Sequence, residues 1–186
     1  NIQNITEKAA LKILNDRNDL QVAVIVMDTS GAIKAMLGGT SYSKSQFNRA
    51  TQSLRQTGSV FKLFTYLTAI DLGFNVYDKI DDLPLDLDGW KPKNYNDKYL
   101  GSITLDKSFA ISSNVATIRL QEMVGRLNII EWAKKLGISS RLKPERSLSL
   151  GTQSISLIEM TNAYASIASG GKVPFIYGVK EITDRN

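Results

Sequence analysis

The sequence predicts an α/β or α+β domain that is rich in helix and short of strands. In the second half of the chain, most segments carry apolar residues at helical spacing. Near the N-terminus, two apolar segments flank a Thr-Ser-Gly turn, which predicts a β-hairpin. Only one weak strand pattern follows, close to the C-terminus. We therefore expect that the sheet is small or that part of it is missing.

The composition fits one domain with a substantial core. The chain has 186 residues, of which 42% are hydrophobic. Its net charge of +5 is scattered, which gives no specific support for a nucleic-acid partner. No apolar run approaches the ~18 residues that cross a bilayer, and no secretory signal opens the chain. An export signal or membrane anchor is therefore expected outside this sequence.

The chain contains no His and no Cys. These absences exclude Ser-His-Asp and Cys-His catalysis, thiol chemistry, disulfides and metal sites built on imidazole or thiolate. We expect neither a metal nor a cofactor. An enzyme with this composition has to work with Ser, Thr, Lys, Tyr and carboxylates.

The N-terminal quarter predicts a helix followed by a hairpin. Residues 6–18 have helical spacing, with Thr6 as the N-cap. Residues 20–28 predict a buried strand, and residues 32–39 predict its partner beyond the turn. Residues 40–48 are polar and predict a loop.

The middle of the chain predicts a central helix and then a long irregular segment. Residues 59–72 are apolar on nearly all sides, and Gly73 is placed to end the helix. Residues 74–102 are rich in Asp, Asn and Gly and include Pro84 and Pro92, so we expect extended, loop-rich structure.

The last third predicts four helices and a terminal strand. The helices cover residues 104–112, 114–125, 126–137 and 156–171. Ser156 and Glu159 form a capping box, which explains Glu159 better than a catalytic role does. Residues 175–183 predict the strand.

Four Ser-x-x-Lys pairs occur, where roughly one or two are expected by chance from 18 Ser and 15 Lys. They are Ser41/Lys44, Ser59/Lys62, Ser140/Lys143 and Ser169/Lys172. The first lies in a polar loop, the third runs into Pro144, and the fourth contains two glycines. Only Ser59/Lys62 begins a strong helix, where positions three apart share a face.

The Ser59/Lys62 pair has the properties of a nucleophile and its base. A Ser in the first helical turn lies beside unpaired backbone N–H groups that stabilise developing negative charge. Burial among apolar residues lowers the pKa of Lys62, and a neutral amine can accept the hydroxyl proton. The alternative is a Lys that extends its side chain to solvent from a buried helix.

Ser112-Ser113-Asn114 is the only Ser-x-Asn sequence in the chain. It lies between two predicted helices, where residues two apart can point into one cleft across a turn. The alternative is an ordinary N-cap of the following helix.

Together these segments resemble the transpeptidase domain of class A penicillin-binding proteins. The resemblance rests on three segments in order, LGGTSYSKSQFNRATQSLRQTGSVFK, WKPKNYNDKYLGSITLDKSFAISSNVATIRL and SLSLGTQSISLIEMTNAYASIASGG. It implies the α+β fold shared by penicillin-binding proteins and serine β-lactamases, here with a helical subdomain and part of an antiparallel sheet.

The resemblance also implies an acyl-transfer enzyme that cross-links peptidoglycan stem peptides ending in D-Ala-D-Ala. Ser59 would be the acylated nucleophile and Lys62 its proton acceptor. Ser112 would relay a proton to the leaving amine, while Asn114 would bind the substrate amide and help to hold Lys62. The backbone N–H of Ser59 would form half of the oxyanion hole, and β-lactams would acylate Ser59.

The sequence departs from the family pattern at several positions. The family usually has Pro at positions 57 and 63 and a small polar residue at position 60, where this chain has Thr57, Leu63 and Val60. No Lys-Thr-Gly or Lys-Ser-Gly sequence occurs. We therefore expect residues 1–186 to be part of a transpeptidase domain that lacks C-terminal sheet strands, the glycosyltransferase domain and the anchor. We expect this piece alone to be acylated poorly.

The expected partners follow from the resemblance. They are peptidoglycan stem peptides, β-lactam antibiotics and, for the missing strands, a second chain; nucleic acid is not among them. The parent protein would be anchored at the periplasmic, extracytoplasmic face of the bacterial inner membrane. The alternatives are a D-Ala-D-Ala carboxypeptidase, a β-lactamase, a penicillin-binding sensor without turnover, and a helical interaction protein.

Two further features have ordinary explanations. Residues 78–90 are rich in Asp, but Pro84 stands where a calcium-binding EF-hand loop needs Asp, so we interpret the segment as a solvated loop. Trp90, Tyr95 and Tyr99 could line a groove for glycan or peptide, although packing in the core or in loops is the simpler interpretation.

Overall fold

A computed structural model describes residues 1–14, 17 and 19–184 of the chain. The chain divides into two compact units. The first unit comprises Asn1–Arg55, Lys135–Ser140 and Ile155–Asn186, and the second comprises Gln56–Lys134 and Arg141–Ser154. Both combine helices with strands, which confirms the predicted α+β class.

The helices and strands are interspersed along the chain. The helices are α1 (Ile2–Leu14), α2 (Lys62–Asp71), α3 (Leu105–Ala110), α4 (Asn114–Val124), α5 (Arg126–Lys135) and α6 (Leu157–Ala168). The strands are β1 (Val24–Met27), β2 (Ile33–Leu37), β3 (Leu54–Gln56), β4 (Lys79–Asp82), β5 (Gly101–Thr104) and β6 (Ser154–Ser156). Single turns of 3₁₀ helix cover Gly58–Phe61, Tyr95–Asp97 and Leu148–Leu150. Among the described helices, none combines the length and the apolar character needed to span a membrane.

The predicted hairpin is present in the first unit. β1 and β2 are antiparallel, and Val24 lies opposite Leu37. The Asp28 carboxylate closes the turn, because it accepts hydrogen bonds from the backbone N–H groups of Ser30 at 2.9 Å and Ala32 at 3.1 Å. An Asp side chain that satisfies its own turn in this way is a common device at a strand end.

Helix α1 lies beside the hairpin and starts earlier than predicted. It begins at Ile2 rather than Thr6, since the Asn1 side chain accepts the backbone N–H of Asn4 at 3.0 Å. Gln3 joins the helix to β2 through two hydrogen bonds with the Met36 backbone. The Gln3 side-chain amide accepts from the Met36 N–H at 2.8 Å and donates to the Met36 carbonyl at 3.1 Å. The predicted C-terminal end of this helix, residues 15, 16 and 18, lies outside the described residues.

The predicted last strand, residues 175–183, is wrong. This segment is irregular, and its only bridge among the described residues joins Tyr177 to Ala32. The side chains of Phe175 and Ile182 are 84% and 92% exposed. The pattern of apolar residues therefore overstated its tendency to pair.

The second unit is built around α2, whose buried residues face α3 and α4. Strands β4 and β5 form an antiparallel pair in which Ile80 lies opposite Ile103, and both side chains are buried. We predicted extended, loop-rich structure for residues 74–102, without these paired strands. The strands are four residues each and are separated by a long Pro- and Asp-containing segment, so no short hairpin turn marks them.

The capping box of α6 is confirmed. The Ser156 hydroxyl and backbone N–H both contact the Glu159 carboxylate, at 2.6 Å and 3.1 Å. The same carboxylate also accepts from the backbone and side chains of Ser139 and Ser140. Burial alone would raise the pKa of Glu159, but these hydrogen bonds from Ser156, Ser140 and Ser139 outweigh it and lower the pKa to about 2.

Glu159→Gln is expected to weaken this helix start at neutral pH. Since the pKa falls from 4.5 to about 2, the carboxylate stabilises the fold above pH 4.5 and loses that effect as the pH approaches 2. Because the group is partly solvated, we expect a loss of about 1 kcal/mol, seen as about fivefold faster hydrogen exchange of α6 amides. Equal exchange in both proteins at neutral pH would contradict this role.

Candidate active site

Lys62 is the first residue of α2 and is buried. Its side chain is 1% exposed, so the alternative of a Lys that reaches solvent does not apply. Its Nζ lies 2.6 Å from the Ser112 carbonyl oxygen, 3.0 Å from the Ser112 hydroxyl and 2.7 Å from the Asn114 Oδ1. The second unit thus brings three of the predicted site residues into direct contact.

Ser59 lies one helical turn before Lys62 and is exposed. The predicted α-helix begins three residues later than expected, because Gly58–Phe61 forms a 3₁₀ turn that leads into it. The backbone N–H of Lys62 donates to the Ser59 carbonyl across this turn. In a 3₁₀ turn residues three apart are eclipsed, so Ser59 and Lys62 are on the same face.

The environment of Lys62 favours proton acceptance. Desolvation by burial lowers the pKa of Lys62 from 10.5 to about 8. A neutral amine has two N–H donors and one lone pair. The Ser112 and Asn114 carbonyl oxygens can only accept, so they hold both donors and leave the lone pair for a hydroxyl proton.

Ser112 has a backbone conformation that is unusual for a residue with a side chain. Its φ angle is 56°, in the left-handed region, where a residue other than Gly pays about 1–2 kcal/mol. In this conformation both its carbonyl oxygen and its hydroxyl contact the Lys62 amine. Strain of this kind concentrates at functional sites, because the surrounding structure must enforce it.

The N-cap alternative for the Ser-Ser-Asn segment applies only to its middle residue. The Ser113 hydroxyl caps α4 by accepting the backbone N–H of Ala116 at 3.1 Å. Asn114 instead directs its side chain to Lys62, and its Nδ2 donates to the Lys93 carbonyl at 2.9 Å. That second contact fixes the amide orientation, since the nitrogen side must face a carbonyl.

The segment of residues 148–151, for which we predicted no role at the site, packs against the Ser59 turn. The Gly58 N–H donates to the Gly151 carbonyl at 3.1 Å, and Gly151 has a φ angle of 70°. A Cβ atom at Gly151 would lie 2.0 Å from the Gly58 carbonyl oxygen. The neighbouring Ser149 hydroxyl contacts the Thr65 hydroxyl of α2 at 2.6 Å. Only Gly at position 151 allows this approach.

Several carboxylates in the Asp-rich segment of residues 78–90 are engaged by protein groups. Asp82 is buried and accepts from three donors, while Asp86 pairs with Lys91 at 3.1 Å and Asp88 with Arg146 at 3.2 Å. Within the described part of the chain, no three carboxylates are grouped closely enough to hold a metal ion.

The three aromatic residues considered as a groove differ in burial. Trp90 and Tyr99 are half-buried, whereas Tyr95 is 87% exposed. Packing therefore does not account for Tyr95, and a binding role for it stays a prediction.

Comparison with known proteins shows which family this chain belongs to. Residues 21–186 match the sequence pattern of the penicillin binding protein transpeptidase domain. The chain belongs to this transpeptidase family. Ser59, Lys62, Ser112 and Asn114 all lie within the matched residues, in the second unit.

Relatives of this transpeptidase domain include penicillin-binding protein 1A of Rickettsia conorii, which is 38% identical over 100% of this chain and 24% of its own length. The crystal structure of penicillin-binding protein 1A from Haemophilus influenzae is similar, with 32% identity and a TM-score of 0.75 over 84% of this chain and 27% of that one. The PonA1 protein from Mycobacterium tuberculosis, in complex with penicillin V, has 28% identity and a TM-score of 0.82 over 92% of this chain and 50% of that one.

The chain thus spans about a quarter of the curated relative, at 24% of its length. Within its 186 residues, this transpeptidase chain carries the Ser-x-x-Lys and Ser-x-Asn segments but no Lys-Thr-Gly or Lys-Ser-Gly segment.

Proposed function

We propose that this transpeptidase domain is the acyl-transfer part of a peptidoglycan D,D-transpeptidase, with Ser59 as nucleophile. One observation carries the proposal. The buried Lys62 amine, one turn from Ser59, is held by Ser112 and Asn114 in a geometry that leaves its lone pair for a proton. No metal, thiol or imidazole is needed for this chemistry.

In the first half-reaction, Lys62 takes the Ser59 hydroxyl proton while Oγ bonds to the carbonyl carbon of the penultimate D-Ala. The electron pair moves onto the carbonyl oxygen, which the Ser59 N–H stabilises. Collapse of this intermediate breaks the bond to the terminal D-Ala. The leaving nitrogen receives the proton from the Lys62 ammonium by way of the Ser112 hydroxyl, which lies 3.0 Å from Nζ.

In the second half-reaction, the amine of another stem peptide attacks the ester carbonyl of the acyl-enzyme. Its proton returns through Ser112 and Lys62, and the bond to Ser59 Oγ breaks. A β-lactam imitates the first step, because its strained amide acylates Ser59 without releasing a separate amine. The complex of the M. tuberculosis PonA1 protein with penicillin V supports β-lactams as ligands of this chain as well.

The proposal extends to the longer protein. A Lys-Thr-Gly or Lys-Ser-Gly segment, supplied by the rest of the protein or by a second chain, would bind the substrate carboxylate. The 186 residues alone, as part of the domain, would then react slowly with penicillin. The stem peptide is a component of the bacterial cell wall, so the domain would act on the extracytoplasmic face of the inner membrane, with the parent protein anchored there.

Acylation of Ser59 by penicillin tests the proposal. We expect the full-length protein that contains this chain to gain one penicillin mass, with the adduct located by peptide mapping on Ser59. Ser59→Ala should abolish the adduct, while Ser53→Ala, a nearby control, should retain it. Exchange of the terminal D-Ala of a stem peptide for a labelled D-amino acid then separates transpeptidation from binding alone. An unmodified Ser59 in the wild-type protein would refute the proposed function.

A further inference from the structure

We propose that Asp82 and Asn94 are positioning residues that hold the Ser112-Ser113-Asn114 segment against Lys62. The inference rests on the proposed function, because it concerns the residues that orient the base. Neither residue contacts the Lys62 amine. They act through the backbone and side chains of the segment that does.

Asn94 holds the backbone of this segment from the loop that follows Pro92. Its Oδ1 accepts the backbone N–H groups of Asn114 at 2.8 Å and Val115 at 3.1 Å. These N–H groups lie in the first turn of α4, where the helix itself supplies no acceptor. The preceding residue, Lys93, accepts the Asn114 side chain through its carbonyl at 2.9 Å. Two consecutive residues therefore fix both the backbone and the amide of Asn114.

Asp82 holds Asn94 from strand β4 and is completely buried, at 0% exposure. Its carboxylate accepts from the Asn94 Nδ2 at 2.5 Å, the Ser113 hydroxyl at 2.6 Å and the Leu100 N–H at 2.9 Å. A buried carboxylate is costly unless hydrogen bonds satisfy it, and these three donors do so. It therefore connects β4, the Asn94 loop and the N-cap of α4.

The consequence for Lys62 follows from the strain at Ser112. A φ angle of 56° persists only when neighbouring contacts enforce it, and residues 113 and 114, directly after Ser112, are held by Asp82 and Asn94. Released from them, Ser112 would relax and withdraw its carbonyl oxygen from Nζ. The base would then lose the two acceptors that direct its lone pair.

Asn94→Ala is expected to lower the acylation rate constant of Ser59 by about tenfold or more. The measurement uses a fluorescent penicillin with the full-length protein, at a temperature where circular dichroism shows each variant folded. The matched control is Asn128→Ala, which removes the 2.7 Å contact with the Val124 carbonyl at the other end of α4. The control should keep the wild-type rate within about twofold. Equal rates for Asn94→Ala and the control would overturn the inference.

Exchanging the residue types of Asp82 and Asn94 distinguishes a positioning role from a general effect on stability. Asn94→Asp places two carboxylates in contact and should cost as much acylation as Asn94→Ala. Adding Asp82→Asn restores one donor and one acceptor between the two side chains, so the double variant should recover about tenfold of the lost rate. If the double variant is no faster than Asn94→Asp alone, the two residues do not act as a pair.

A structural readout does not depend on acylation. In crystals of the Asn94→Ala protein, the distance from Lys62 Nζ to Asn114 Oδ1, 2.7 Å in the wild type, should exceed hydrogen-bonding range. An unchanged contact would overturn the inference even if Ser59 reacts. A lengthened contact would support it even if the wild type proved not to react with penicillin, which would refute only the proposed function.

Discussion

Lys62→Met is expected to slow the acylation of Ser59 by penicillin by about three orders of magnitude, the range in which a general base contributes. The substitution removes the amine that lies within hydrogen-bonding distance of Ser112 and Asn114, which we propose accepts the proton from Ser59. Met has a similar length and suits a buried position. The measurement is the pseudo-first-order rate of labelling by a fluorescent penicillin.

The fold should survive this substitution. The amine is 1% exposed and its pKa is lowered by burial, so its removal relieves a desolvation cost while leaving two acceptors without a partner. The opposing effects should leave the free energy of unfolding within about 2 kcal/mol of the wild type. Lys107→Met, at an exposed position of α3, is the control and should keep full activity. Normal labelling of Lys62→Met would exclude Lys62 as the base.

Gly151→Ala is expected to destabilise the second unit by about 3–5 kcal/mol, since it combines backbone strain with a steric clash. The φ angle of Gly151 is 70°, and the new Cβ would lie 2.0 Å from the carbonyl oxygen of Gly58, the residue before the proposed nucleophile Ser59. The atom that must move is backbone, so the Ser59 turn itself is displaced. We expect acylation of the remaining folded protein to fall at least about tenfold.

Gly73→Ala is the matched control for this effect. Gly73 also has a positive φ angle, 93°, but a Cβ there meets nothing within 4 Å. Gly73→Ala should lower the free energy of unfolding only by the backbone strain, about 1–2 kcal/mol, and leave the acylation rate unchanged. Thermal unfolding and penicillin labelling of both variants make the comparison. Similar labelling rates in the two variants would show that the 148–151 segment does not position Ser59.

The candidate site residues were predictable because the patterns around them are local in the sequence. The spacing of apolar residues predicts a buried helix, and a Lys is unusual within one. Ser59/Lys62 could therefore be distinguished from the three other Ser-x-x-Lys pairs. Ser112 and Asn114 were predicted as a pair by the only Ser-x-Asn sequence, and the structure brings both to Lys62. The capping box at Ser156 was equally local.

The remaining features depend on contacts between distant parts of the chain. Asp82 and Asn94 lie in a segment that we predicted to be extended and loop-rich, and the contact between them is seen only in the fold, where β4 pairs with β5. The φ angle of Ser112 is imposed by neighbours rather than by residue type, since Ser has no preference for that region. The close approach at Gly151 could not be predicted either, because Gly occurs in many kinds of turn.

The pH dependence of Ser59 acylation tests most directly whether Lys62 is the base. With the pKa of Lys62 at about 8, about one tenth of the amine is neutral at pH 7 and half at pH 8. The acylation rate constant should therefore rise about fivefold between these values and level off above about pH 9. Lys62→Met should remove this rise. A rate that is flat across this range in the wild type, or that keeps climbing towards pH 10.5, the ordinary value for Lys, would contradict the assignment.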